Sequence, residues 1–361
     1  MLNNYQIDFK IKELLGAFFG RVRKNLDFFN GLNNFVYELG SGRQAIYLCL
    51  KDIERKIGLG EIICPNYSCK SIPRAIIKAG FTPVFVDMDN NLSLDFKKIE
   101  DAISKNTKAI IFYHPWGFLH NKKIIDIAKK NNVLIIEDCA QILNNKHKVG
   151  RLGDYSFFSF RTSKLIGVGS GAVLLSREKI SIPIQKSSKF IQIIDLKDLI
   201  FRSKIINYPK LRAGLEKLEG FKPKRMGKFN KNLLINELKF IESKIAKRIN
   251  NYERIKKAVE QTRNFKNINF EKQQIISPVY FPVLCKDKKQ VMELFKKNKI
   301  NATGYYDFIN SDCFEGREVG RQNSDKFAQN LINIPLHDKL TDNQIDYIVK
   351  IIRIIDAKIK E

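Results

Sequence analysis

The sequence predicts an α/β protein, with a mainly parallel seven-stranded sheet in a large domain over residues 1–218. A linking helix and a smaller α+β domain follow over 219–361. Two observations carry this. From residue 35 onward, short apolar or β-branched runs alternate with longer stretches of helical period, the pattern of parallel strands joined by crossover helices. Beyond about residue 180 that alternation gives way to a long amphipathic stretch and then a strand between helices. With 361 residues, 44% hydrophobic and 11% aromatic, the chain has enough apolar material to bury two cores.

Taken in order, FVYEL reads as a strand, GSG as a turn and RQAIYLCLKDIERKI as a helix. EIICP, TPVFVDMD, TKAIIFYHP and VLIIEDCAQ are strands separated by the helices SIPRAIIKAG, LDFKKIEDAIS and NKKIIDIAKKNN. DYSFFSF and GAVLLS bring the strands of the sheet to seven. In the second part NLLINELKFIESKIAKRINNYERIKKAVEQ reads as one long helix and SPVYFPVL as a strand. KKQVMELFKKNKI and TDNQIDYIVKIIRIID are helices.

The formal net charge is +26, but the lysines are spread along the chain and are accompanied by abundant asparagine and isoleucine. No helix-turn-helix, zinc-finger or aromatic RNA-binding signature goes with that charge, so nucleic acid is not the expected partner. An anionic small substrate would benefit from the same field. Six cysteines without C-x-x-C spacing read as free thiols in a reducing compartment, and four histidines without ligand spacing give no metal-site signature. With no secretory signal and no apolar run of about 20 residues, a cytoplasmic protein is expected. The basic, amphipathic N-terminal stretch IDFKIKELLGAFFGRVRKNLDFF is expected to pack on its own fold, with contact to a membrane surface as the competing reading.

Three stretches carry chemistry. ELGSGRQA sets Gly40-Ser41-Gly42 and Ala45 between a strand and a helix, where small residues let amides approach an anion. A dinucleotide site also wants an acidic residue ending the next strand, and EIICP ends in Cys64-Pro65. What remains is a phosphate turn. VLIIEDCAQ delivers Glu137 and Asp138 to the C-terminal end of a parallel strand, where open α/β sheets bind ligands; a helix cap or a metal ligand is the alternative reading of that pair. SFFSFRTSKLIGVGSGAVLL holds Lys164 between apolar runs, five residues after Ser159 and just before Gly167, Gly169 and Gly171. Alone, such a lysine is more often a snorkelling surface residue. Together, a phosphate turn, a strand-end carboxylate and a partly buried amine are the parts pyridoxal phosphate requires.

From about residue 36 to the C-terminus the chain resembles the DegT/DnrJ family of pyridoxal-phosphate-dependent nucleotide-sugar aminotransferases, of fold type I. SGRQAI resembles the family's SGTaAL, and VLIIEDCAQ its vIEDaAQ. ICPNYSCKSIPRAIIKAGFTPVFVDMD follows its vPsfTFvATanAvlyaGatPvfvDid segment. GDYSFFSFRTSKLIGVGSGAVL, PKRMGKF and INIPLHDKLTDNQID follow in the family's order. The resemblance implies that Lys164 forms the Schiff base and moves protons, and that Asp138 pairs with the pyridinium nitrogen. Gln141 would sit near the phenolic oxygen, and Ser159 with the backbone of Gly42 and Arg43 would hold the phosphate. The glycines after Lys164 would make room around the ring and the lysine. It further implies an amino-acid donor, glutamate in the first instance, a nucleotide-linked sugar acceptor, and a homodimer with shared sites. The pathway implied is polysaccharide biosynthesis.

Three positions depart from the pattern. The family's threonine is Arg43, which offers a guanidinium in place of a hydroxyl. Its ring-stacking aromatic falls at Cys69, with Tyr67 two residues away as a substitute. Its asparagine that reaches the phosphate from the partner subunit falls at Pro223. These departures keep a non-catalytic binding or regulatory protein in view. A sugar dehydratase of the same fold is disfavoured, because such relatives carry histidine where Lys164 stands. Sugar specificity is expected to lie in roughly residues 181–222.

Overall fold

The computed structural model describes the chain except residues 4–8, 22–25, 120–121, 145–148, 188, 203–219, 269–274 and 360–361. Part of the expected specificity region, 203–219, therefore lies outside the described residues, as do stretches of the N-terminal segment.

The large sheet contains β1 (Phe35–Leu39), β2 (Glu61–Pro65), β3 (Thr82–Val86), β4 (Thr107–Tyr113), β5 (Leu134–Asp138), β6 (Tyr155–Ser159) and β7 (Ala172–Ser176). These are the seven expected strands. An eighth, β10 (Arg317–Val319), comes from the C-terminal part of the chain. The order is β1-β7-β6-β5-β4-β2-β3-β10, with β7 antiparallel to both its neighbours and the other pairings parallel. Alternation along each strand divides the core between the two faces of the sheet. Ile110, Phe112 and Ile135 pack on one side, Ala109, Ile111 and Ile136 on the other. β10 was not foreseen because a three-residue strand has no readable period.

The small sheet is antiparallel, in the order β11-β9-β8, from β8 (Phe265–Asn267), β9 (Phe281–Cys285) and β11 (Leu331–Ile334). Only the second half of SPVYFPVL forms β9. Its first half, with Ile276 just before it, turns back onto the Pro115–Gly117 turn after β4, with the Ile276 and Ser277 amides donating to Gly117 O and the Val279 amide to Trp116 O. The long helix expected after residue 231 is two helices, Lys228–Leu238 and Ile241–Val259. At the break the Phe240 amide bonds back only three residues, to Glu237 O. The two halves have different partners: the first packs on the N-terminal helix Ile11–Phe19, the second on the closing helix Asp342–Lys358. The N-terminal helix buries Leu14 and Ala17 against the fold and leaves Ile11, Leu15 and Phe19 exposed.

All six cysteines are free thiols. Among the described residues no helix is long and apolar enough to cross a membrane.

Candidate active site

Parallel pairing brings the C-terminal ends of β4, β5 and β6 to one edge of the sheet. Tyr113 and Asp138 stand opposite each other in register, and Ser159 ends the neighbouring strand. The helix Gly42–Ile57 begins at this edge, where Ser41 caps it by accepting the Gln44 amide at 3.4 Å. A Cβ added at Gly42 would meet Ser159 Cβ at 3.3 Å and its Oγ at 3.4 Å, so the glycine leaves the helix start close to that hydroxyl without crowding it. Helix N-terminal amides beside a hydroxyl form a cradle for a phosphate.

The cradle opens into a cavity of about 370 Å³. Gly42, Arg43, Cys69, Asp138, Gln141, Ser159 and Lys164, read from the sequence, all line it. Burial pushes the Asp138 carboxyl up to about 6, against the opposing pull of Lys164, the Ala140 amide and His114. The Ala140 amide donates to its Oδ1 at 2.8 Å. A buried carboxylate lowered in energy by a nearby cation suits a protonated ring nitrogen, so the donor set fits pyridoxal phosphate.

Lys164 sits on a loop closed by strand-like bonds at its base: the Phe160 amide donates to Gly171 O at 3.0 Å and the Val168 amide to Phe160 O at 2.9 Å. From the C-terminal part, the Tyr280 hydroxyl donates to Ser163 O at 3.1 Å, next to the lysine. The glycines here serve the chain path rather than the cavity, which corrects the expectation that they clear space for a ring. A Cβ on Gly167 would stand 2.6 Å from Thr162 O, Gly169 (φ +92°) faces Asp195, and Gly171 (φ +133°) faces Met226. None of the three lines the cavity.

Glu137 and Asp138 are adjacent and part company, as alternation on a strand requires. Glu137 is fully buried and accepts from the amides of Gly150, Leu152 and Gly153 and from the Ser156 hydroxyl, and it pairs with His114 Nε2 at 2.9 Å. Burial works to raise its pKa, but His114 and these donors outweigh it and hold it low. His114, Glu137 and Cys139 place their ligand-type atoms within 4.8 Å of one another. Glu137's oxygens are already occupied by hydrogen bonds, so the group reads as an internal brace for the 150–153 loop.

Of the three departures, Cys69 is exposed at the cavity, with Sγ 3.4 Å from Ser71 Oγ. Tyr67 does not take the aromatic's place: it is fully buried among Trp116, Tyr306 and Phe327, away from the cavity wall. Arg43 lies on the cavity wall with its guanidinium carbon 5.5 Å from the Phe221 ring centre, rather than free in solvent. Pro223 is off the cavity, its carbonyl accepting the Gln185 amide at 2.9 Å. The structure adds residues that the sequence reading missed: the rings of Tyr113, Tyr305 and Tyr306, and the cations Lys70, Arg74 and Arg161. The two adjacent tyrosines of GYYDF lie in a loop without periodicity, and nothing local marks them.

Comparison with known proteins places this site in context. A GDP-perosamine synthase of Escherichia coli O157:H7 is 35% identical over 150 residues, 40% of this chain and 41% of that protein. A dTDP-4-amino-4,6-dideoxy-D-glucose transaminase of Shigella dysenteriae is 24% identical over 94% of this chain and 90% of its own length. The alignments to the first three curated relatives thus span about two fifths of each. The fold matches aminotransferase TlmJ of Streptoalloteichus hindustanus, with TM-score 0.79, 17% identity and full coverage of both chains. Helicobacter pylori PseC, an aminotransferase of pseudoaminic acid biosynthesis, matches with TM-score 0.78 and 18% identity over 99% of this chain and 100% of that one. The family model itself matches residues 14–353, and the chain belongs to the DegT/DnrJ/EryC1/StrS aminotransferase family.

Proposed function

We propose that this chain is a pyridoxal-phosphate-dependent aminotransferase that moves an amino group from an amino acid, glutamate in the first instance, to a keto group of a nucleotide-linked sugar. It would act as a cytoplasmic homodimer, a setting that suits its free thiols. The observation that carries the reading is the convergence of Lys164, Asp138 and the Gly42–Ser159 cradle on one cavity. When bound, pyridoxal phosphate supplies an electron sink for the carbon that loses its proton.

The chain's own residues do the rest. The first amides of the Gly42–Ile57 helix and the Ser159 hydroxyl hold the phosphate, with the Arg43 guanidinium beside them. The Asp138 carboxylate, unfavourable when buried alone, is stabilised by a cationic nitrogen placed against it. The Lys164 amine takes up the proton that the amino-bearing carbon of the bound substrate loses and returns it on the other side of the C–N linkage. Asp138 is the one carboxylate among the described lining residues, whereas Lys70, Arg74 and Arg161 join Arg43 and Lys164 there. That imbalance suits a substrate carrying phosphates.

The test is a visible absorption spectrum with added pyridoxal phosphate, then borohydride reduction and peptide mapping. A band fixed on Lys164 and bleached by glutamate supports the reading; absence of any band sinks it. Lys164→Ala is expected to reduce turnover by more than about a thousandfold with the fold intact, since a covalent and proton-transfer group is lost. Persistent turnover in that variant would refute the assignment.

A further inference from the structure

The helix Lys189–Arg202 carries Asp195 between Ile194 and Leu196, and the structure buries it to 3% exposure. Aspartate is a poor helix former and a costly group to bury, so its place there rests on the hydrogen bonds it receives. Its Oδ2 accepts the Ser170 hydroxyl at 2.5 Å and the Asn230 side-chain amide at 2.9 Å. Asn230, on the helix Lys228–Leu238, gives its other amide N–H to Val168 O at 2.8 Å. Gly169 lies between these contacts with φ +92°, and a Cβ there would stand 3.1 Å from the Asp195 carboxyl carbon. Val168, Gly169 and Ser170 are therefore seated, one after another, against a single carboxylate and the amide beside it.

Those three residues form the far limb of the loop that presents Lys164. The limb is joined to the near one by the Val168 amide on Phe160 O and the Phe160 amide on Gly171 O, while Tyr280 holds Ser163 O from the other side. Arg161, Ser163 and Lys164 line the cavity, whereas Val168, Asp195 and Asn230 do not. Asp195 thus acts on the amine from behind, through the backbone. A displacement of about 1 Å at a reacting group can cost about a hundredfold in rate, so where this limb sits matters to the lysine. We propose that Asp195 is a positioning residue for Lys164, setting through Ser170, Asn230 and the 168–170 backbone where the amine stands in the cavity. This rests on the cofactor reading above. It also gives the 181–222 region a task besides sugar choice, because the Lys189–Arg202 helix belongs to it.

The test separates the lysine from the rest of the site. Pyridoxal phosphate needs the Lys164 amine, which bonds to its aldehyde carbon with loss of water and gives the visible band. Pyridoxamine phosphate has an amine in place of the aldehyde and engages the phosphate cradle and Asp138 without a bond to Lys164. Band formation on mixing with pyridoxal phosphate, and equilibrium dialysis of each compound, are measured for the wild type and Asp195→Ala. The variant is expected to form the band about tenfold or more slowly and to hold pyridoxal phosphate about tenfold or more weakly, the worth of buried hydrogen bonds to a charged group. Its affinity for pyridoxamine phosphate is expected to be unchanged. Should the variant melt far below the wild type, Ser170→Ala is read in its place and is expected to show the same split at smaller amplitude. Equal losses for the two compounds would mean a general loosening of the fold and would overturn the proposal. Unchanged band formation and affinity for pyridoxal phosphate would overturn it too, and either result leaves the cofactor reading standing. A wild type that forms no band overturns both.

Discussion

Asp138 is a carboxylate placed where its charge is costly until a cation arrives. Its native pKa, about 6, lies above the usual carboxylate value, so between about pH 4 and pH 6 the native state binds more protons than the unfolded chain. Stability from this group is therefore present at low pH and lost as pH rises through 6, by about 3 kcal/mol. Asp138→Asn removes that slope. In the cofactor-free protein, the stability of the variant relative to the wild type should rise by about 3 kcal/mol between pH 4 and pH 7, measured by urea unfolding at each pH. The same variant should bind pyridoxal phosphate more weakly, because the neutral amide cannot pair with the ring nitrogen. Equal pH dependence in the two proteins would show that the carboxyl is not buried as described.

At the scale of elements, a strand's two-residue alternation gives neighbouring acids different tasks. Glu137 faces away from the cavity and gathers the 150–153 loop. Glu137→Ala should cost about 3–5 kcal/mol, since it leaves His114 and a set of buried amides without their acceptor. Denaturant unfolding measures it, and a loss below about 1 kcal/mol would contradict the brace. The lysine loop makes a comparable demand. Gly167→Ala forces a Cβ to 2.6 Å from Thr162 O and 2.9 Å from its Cα, both backbone atoms. A loss of about 1–3 kcal/mol is expected, together with weaker cofactor binding as Lys164 shifts, read by melting and by titration.

Across the whole molecule, the C-terminal part is tied to the large sheet by more than β10. Asp87, at the end of β3, receives the Ser324 amide at 2.8 Å and hydroxyl at 2.7 Å, the Asn323 amide at 3.2 Å and Lys98 Nζ at 2.7 Å. The two amides open the helix Gln322–Asn330, so a buried anion meets a helix N-terminus. Burial opposes its charge, but Lys98 and the Ser324 and Asn323 donors outweigh burial and lower its pKa. The sign is opposite to that of Asp138: this stability is present above the ordinary carboxylate pKa and is lost as pH falls through the lowered native value. Asp87→Ala should cost about 3 kcal/mol or more at neutral pH, with the deficit shrinking in acid, as followed by unfolding at pH 7 and pH 3. A deficit that does not change with pH would remove the charge from the explanation.

Local periodicity, and residue types with few other uses, already mark the seven main strands, the glycine turn before the Gly42–Ile57 helix, and the strand-end Asp138, Ser159 and loop Lys164. Parallel pairing then required their strand ends to meet. Whatever depends on contacts between distant segments emerges with the folded chain. It shows β10 completing the sheet, the second helical stretch breaking at Phe240 to serve two partners, and the glycines yielding to Thr162, Asp195 and Met226 rather than to a ring. It brings Trp116, Gln141, Tyr305 and Asn333 together across separations of 25, 164 and 217 residues. A short strand or an isolated tyrosine carries no period of its own, and its role is set by whatever the rest of the chain folds against it.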